Sequence, residues 1–265
     1  MTENVLPGYE FIASERIGDT LLLTLNRPDR LNSVHGPMQV ELASIFVDAN
    51  RDPDSRAIVL TGAGKAFCAG GDVQTMEKGE DWDEGTDQAG ALVHSRARAL
   101  VYTILDVEKP LISMVNGAAV GLGATLALLC DVVVASDRAR IGDRHVPVGL
   151  VAGDGAQVIW PLLIGLNRAK ELLMTGDLVQ GEALISMGLA NHLVPEAELR
   201  TFTLDLANRL AALPTYATRA TKQMLNAQLR HQATLSLDLG LAWEHLSEKD
   251  PEHREAAAAW IQRRR

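Results

Sequence analysis

Two glycine-rich turns and three titratable side chains carry the chemistry that this sequence can support. The stretch from Val115 to Asp131, VNGAAVGLGATLALLCD, opens on an Asn-Gly turn, passes Gly121 and Gly123, and continues as an apolar block of helical length. The first backbone N–H groups of such a helix have no partner inside it and point outward with the positive end of the helix dipole. That corner suits an anion or the oxygen of a polarised carbonyl. Upstream, Thr61 to Asp72, TGAGKAFCAGGD, follows the apolar run Ala57 to Leu60 and supplies a second turn, Ala69-Gly70-Gly71, whose N–H groups can also face a ligand. Two such turns together would make a two-donor hole. Glycine at 121 and 123 also has a purely steric use, letting a helix approach a strand closely.

The titratable candidates lie in the second half of the chain. IGDRHVPVGLVAGDGAQVIWP carries His145 and Asp154 nine residues apart, flanking a glycine-containing segment just ahead of a helical pattern. The apolar-rich LSLDLGLAWEHL places Glu244 beside Trp243. A histidine of ordinary pKa, about 6.5, takes and returns protons near pH 7. Each member also has a plain structural reading: Asp154 as a helix cap, Glu244 as the exposed edge of an apolar face, and His145 as a packed histidine.

Other chemistries find no support. No GxSxG, Walker loop or CxxC is present, and His35, His94, His192, His231, His245 and His253 show no metal-ligand spacing. A net charge of −9, with no basic stripe interleaved with aromatics, argues against nucleic acid as a partner. Cys68 and Cys130 sit in apolar runs and read as reduced core thiols, which suits a reducing compartment. No apolar run approaches membrane-spanning length and the N-terminus has no basic-then-apolar leader, so the expectation is a cytoplasmic protein that does not enter a membrane.

The elements that must position these residues follow from the pattern. Phe11–Arg16 and Thr20–Leu25 read as strands of a hairpin joined at Gly18-Asp19, and Asn26–Arg30 as a loop fixed by Pro28. Gly36–Asn50 has the apolar spacing of a helix in Met38, Leu42, Ile45, Phe46 and Ala49, and Ala57–Thr61 is a buried strand. Asp72 reads as the cap of the helix after it. Met76–Gly90 is polar, acidic and aperiodic, with Trp82 as an isolated apolar anchor: a surface loop, or a lid over a pocket. A helix over 91–106 and a strand over 110–115 follow, so strand, Gly-rich turn and helix occur twice. From Ala156 the chain is mostly helical (156–163, 168–173, 181–187), interrupted by a short LANHLV strand. Amphipathic helices are then predicted near 196–212, 215–230, 232–247 and 251–264.

LNRPDRLNS, GKAFCAGGD, VNGAAVGLG with LALLCD, then ARIG, VGLVAGDGA, LLMTGD and MGLANHLV follow one another in an order and spacing that resembles the enoyl-CoA hydratase/isomerase family, the crotonase superfamily, from about Thr20 to the last helix. The resemblance implies an α/β fold in which ββα repeats wind into a spiral core, here residues 1–195. A C-terminal helical region, 196–265, would build homotrimers, often doubled to hexamers. It makes the N–H groups of Gly71 and Leu122 the oxyanion hole of a thioester enzyme. It places Arg30, Leu31 and Ser33, with Ala69, Asp72 and Val73, along the channel for coenzyme A and substrate. Coenzyme A would arrive as part of the acyl-CoA substrate, with no permanently bound cofactor and no metal. Arg263, Arg264 and Arg265 could reach a coenzyme A phosphate or form a solvated tail.

The chain departs from that family at the acid–base groups. A typical hydratase has glutamates at the positions matching Thr125 and His145. A threonine hydroxyl cannot replace a carboxylate, whereas His145 can serve as a base. His145, Asp154 and Glu244 instead resemble the β-diketone hydrolase branch of the superfamily, the 6-oxocamphor hydrolase type, and the likeness extends to DWDE in the polar loop. There His145 would activate water, Asp154 would orient it or carry a proton, and Glu244 would assist. That branch lacks the glycine-rich oxyanion turns that this chain keeps. The leading expectation is an acyl-CoA enzyme with a two-N–H oxyanion hole and a His/Asp acid–base pair in place of two glutamates. The alternatives are a CoA-independent carbon–carbon bond hydrolase and a catalytically silent CoA-binding scaffold.

Overall fold

The computed structural model describes residues 4–72 and 87–262. The hairpin forms as expected: β1 (Ile12–Ile17) and β2 (Thr20–Leu25) pair antiparallel across Gly18, whose φ of +58° glycine adopts without strain. From β2 the large sheet grows by parallel additions in the order β1-β2-β3-β5-β7-β10, with β3 at Ala57–Gly62, β5 at Leu111–Val115, β7 at Val132–Ser136 and β10 at His192–Val194. β3 and β5 are buried at every position, which explains their unbroken apolar runs, since parallel strands are covered on both faces. A smaller sheet takes β4 (Ala66–Cys68), β6 (Ala118–Val120), β8 (Arg140–Gly142) and β9 (Leu178–Gln180), with only β9 antiparallel to its neighbour. The units β3–β4, β5–β6 and β7–β8 each give one strand to each sheet, and the result is the ββα spiral of the crotonase fold.

Among the described helices, α1 (Gly36–Arg51) buries the predicted stripe of Met38, Leu42, Ile45, Phe46 and Ala49. Helix α2 (Asp87–Asp106) starts at 87, not at 91, so the last four residues of the expected loop are helical; Trp82 and the rest of that loop lie outside the described residues. Helix α3 (Leu122–Leu128) is short and wholly buried, and it ends before Asp131, whose carboxylate accepts the Leu111 N–H at 2.7 Å. Then come α4 (Ala156–Ile164), α5 (Leu166–Thr175), α6 (Glu182–Met187), α7 (Glu196–Ala211), α8 (Thr215–Glu248) and α9 (Pro251–Gln262).

The two helices predicted over 215–230 and 232–247 are one helix of 34 residues, because nothing at His231 or Gln232 breaks the backbone pattern. Helix α7 lays Leu199, Ala207 and Ala211 on Leu22, Val59, Ile112 and Val134 of the large sheet, while α8 crosses α2 and α4. Cys68 and Cys130 are free and buried, and burial pushes the Cys68 thiol up to about 12, so both behave as core groups. Among the described residues no helix is long and apolar enough to cross a membrane.

Candidate active site

The two glycine-rich turns meet backbone to backbone. A Cβ added at Gly123 would lie 2.2 Å from the carbonyl oxygen of Cys68, and one at Gly70 would lie 2.7 Å from that of Val120. Any larger residue would force the turns apart, so the glycines do have the steric use seen in the sequence, and that use brings the two turns together. Leu122 is the first residue of α3, so its N–H has no acceptor within the helix. Gly71 follows the bend at Gly70 (φ +93°) and bridges to Val34. Gly70, Gly71, Gly121 and Leu122 line one cavity of 470 Å³.

His145, Asp154 and Glu244 line the same cavity, from three separate elements. His145 follows β8 and stands over the turn at Gly121, such that a Cβ at Gly121 would come within 3.3 Å of its ring. Its Nε2 faces Asp154 Oδ2 at 3.6 Å and Glu244 Oε1 at 3.7 Å. Both separations exceed a hydrogen bond, leaving a notch between the three groups. Asp154 is not a cap: Gly155 holds that position on α4, and Asp154 Oδ1 accepts the Thr125 hydroxyl at 3.2 Å. Glu244 is not on an exposed edge either. Helix α8 passes so close to the loop before α4 that a Cβ on Gly153 would sit 2.2 Å from the Gly240 carbonyl, and this contact turns Glu244 inward with its Oε2 buried and unpartnered.

The residue that orients His145 is Asp143, which the sequence reading overlooked. Asp143 is fully buried, and its Oδ1 accepts the His145 backbone N–H at 2.9 Å and lies 2.8 Å from Nδ1. An aspartate bonding the backbone two residues on is an Asx turn, so Asp-x-His after a strand was the available signal.

Electrostatics follow from this crowding. Burial disfavours the imidazolium, but Asp143, Asp154 and Glu244 outweigh it and hold the His145 pKa well above the usual histidine value. Burial likewise opposes ionisation of Asp143, yet the adjacent imidazolium and its hydrogen bonds keep that carboxyl below the usual range. Asp154 is raised, chiefly by burial, and burial pushes Glu244 up to about 8. Asp143, His145 and Asp154 offer ligand atoms within 4.8 Å of one another, but they address opposite nitrogens of one ring, an arrangement that suits ion pairing better than chelation.

The residues expected along the substrate channel divide. Leu31 and Ala69 line the cavity. Arg30 is exposed, while Ser33 is buried and its carbonyl accepts the Arg27 guanidinium. Asp72 is buried and pairs with Arg27 at 3.1 Å, which pins the loop at Arg27 to the turn at Gly70 and Gly71. Val73 and Arg263–Arg265 lie outside the described residues.

The ββα spiral with paired glycine turns opening on one cavity defines an enzyme of the crotonase superfamily. A sequence profile described as enoyl-CoA hydratase/isomerase matches residues 17–265. The chain is 32% identical to the 1,2-epoxyphenylacetyl-CoA isomerase of Escherichia coli (strain K12), over 96% of this chain and 97% of that one. It is 31% identical to the short-chain-enoyl-CoA hydratase of Clostridium acetobutylicum, over 87% and 85%. A crystal structure of an enoyl-CoA hydratase/isomerase from Mycobacterium paratuberculosis superposes with a TM-score of 0.89 at 35% identity, covering 96% of this chain and all of that one. The chain belongs to the enoyl-CoA hydratase/isomerase family.

Proposed function

We propose that the protein acts on an acyl-CoA thioester by enolate chemistry, with the N–H groups of Gly71 and Leu122 holding the thioester oxygen and the His145/Asp154 pair moving protons. The observation that carries this reading is the convergence of both N–H positions with His145, Asp154 and Glu244 on one cavity. Removing a proton from Cα, or adding a nucleophile to Cβ, drives negative charge onto the carbonyl oxygen, and two preorganised donors there stabilise the transition state more than the ground state. Thr125 cannot itself move a proton, yet it holds Asp154 by a hydrogen bond, so the carboxylate absent at position 125 is supplied from the loop before α4. The acyl-CoA isomerase and hydratase among the relatives support the substrate class. Apolar side chains exposed along α8, among them Leu235, Leu239 and Trp243, fit burial against other copies of the chain in the trimers or hexamers that the resemblance implies.

One observation favours a second reading. Glu244 adds a third acidic group with a raised pKa beside His145, more proton-transfer capacity than an enolate site with two acid–base groups requires. Such a set suits water-driven cleavage of a carbon–carbon bond in a 1,3-diketone. A paired assay separates the two: crotonyl-CoA hydration against cleavage of a bicyclic 1,3-diketone, with isothermal titration of acetyl-CoA alongside. Hydration that disappears in His145→Ala is the expected result. Diketone cleavage without coenzyme A binding would overturn the acyl-CoA reading.

A further inference from the structure

His145 has two ring nitrogens in different surroundings, and Asp143 decides between them. Its carboxylate can only accept hydrogen bonds, so at 2.8 Å from Nδ1 it places a proton on that nitrogen. The same oxygen accepts the His145 backbone N–H at 2.9 Å, which fixes the residue at Cα and at the ring together. Asp143 is shut off from solvent, so its negative charge acts on the imidazole with little screening. Asp154, the more obvious partner in the sequence, makes no hydrogen bond to the ring: its Oδ2 stands 3.6 Å from Nε2, and its Oδ1 is engaged by Thr125.

We propose that Asp143 is the positioning residue of the site, fixing the His145 ring with Nδ1 protonated and holding it as imidazolium, so that Nε2 delivers a proton while Asp154 receives one. His145, expected from the sequence to be the base that activates water, thereby becomes the proton donor. For the addition of water to an enoyl thioester, the water oxygen bonds to Cβ and its proton passes to Asp154 Oδ2. The pair of electrons released from the double bond returns through the enolate to Cα, which takes the Nε2 proton. Asp154 is left protonated and His145 neutral, and transfer of one proton from Oδ2 to Nε2 across the notch restores the starting state. The groups facing the ring agree with this assignment. They are Asp143 after β8, Asp154 before α4 and Glu244 on α8, with Glu248 next along that helix also acting on Glu244, and their joint effect raises the His145 pKa.

The reaction assigned to the protons rests on the acyl-CoA reading above; the state of the ring does not. The test is therefore nitrogen-15 NMR of histidine-labelled protein, wild type, Asp143→Asn and Asp154→Asn, titrated from pH 5 to 9, followed by kcat and KM for crotonyl-CoA. In the wild type the His145 signals should be those of an imidazolium with a strongly downfield Nδ1–H, persisting above the range of an ordinary histidine. Asp143→Asn should lose the downfield proton, shift the His145 midpoint down, and lower kcat about 10²-fold with KM little changed. Asp154→Asn should keep the downfield proton. A wild-type ring that is neutral at pH 7, or a downfield proton lost in Asp154→Asn, overturns the proposal even if Asp143→Asn does not fold. Imidazolium signals as expected in an enzyme that turns over no acyl-CoA would instead sink the acyl-CoA reading and leave the positioning role standing.

Discussion

Thr125 and Asp154 share a hydrogen bond of 3.2 Å across two elements, Thr125 on α3 and Asp154 in the loop ahead of α4. The threonine is 1% exposed and the aspartate 7%, so the bond is made without competing water. Position 125, where the resemblance leads one to expect a glutamate, carries no carboxylate of its own but holds that of Asp154. Hydrogen bonds to charged groups contribute about 1.5–3 kcal/mol. Thr125→Val keeps the shape of the side chain and removes the donor. It should lower kcat for the preferred substrate about 10-fold or more, with circular dichroism unchanged; wild-type turnover would mean that Asp154 needs no anchor.

The Glu244 carboxyl, raised to about 8, makes a pH prediction whose sign is fixed. Between its ordinary value near 4.5 and about 8 the native state keeps a proton that the unfolded chain has lost. Stability from this group is therefore complete below about 4.5 and lost as pH rises through 8. Glu244→Gln mimics the protonated form at all pH values. Its melting temperature should gain on the wild type as pH goes from 5 to 9, measured by calorimetry in matched buffers; parallel curves would show that Glu244 titrates normally.

The contact between Gly153 and Gly240 predicts a longer-range effect. A methyl group on Gly153 would meet the Gly240 carbonyl at 2.2 Å and Glu244 Oε2 at 2.9 Å, so α8 must shift outward. Overpacking of this kind costs about 1–3 kcal/mol. Gly153→Ala should unfold at lower denaturant and, through the displacement of Glu244, should lose the pH dependence that Glu244→Gln loses. A variant as stable as the wild type would show that the approach of α8 is looser than described.

What could be read in the sequence was local. The hairpin at Gly18, the stripe of α1 and the glycine turns rest on residues within one turn or one helix face, and each was legible because period and turn chemistry are local properties. The trio of His145, Asp154 and Glu244 was legible as candidates, because the residue types stand in recognisable segments. Their mutual arrangement was not, since Glu244 is brought in by a glycine contact 87 residues away in the chain (153 to 240). Asp143 escaped notice although its signal, an aspartate two residues before His145, was local. The merger of two predicted helices into α8 has a simpler cause: polar residues at 231 and 232 interrupt the apolar pattern without interrupting the backbone.

One backbone hydrogen, that of Leu122, decides whether the turn before α3 supplies an oxyanion donor. Leu122 occupies the first helical position of α3, where proline is accommodated because the N–H it lacks makes no helical bond. Leu122→Pro therefore deletes the proposed donor with limited structural cost, whereas Leu122→Ile keeps it and much of the buried volume. Loss of one such donor lowers kcat by about 10²–10³-fold, roughly 3–4 kcal/mol. The proline variant should fall by that factor on an acyl-CoA substrate while the isoleucine variant stays within about tenfold of wild type, the cost of a small repacking. Equal losses in both would assign the effect to the side chain, and unchanged turnover in Leu122→Pro would remove position 122 from the oxyanion hole.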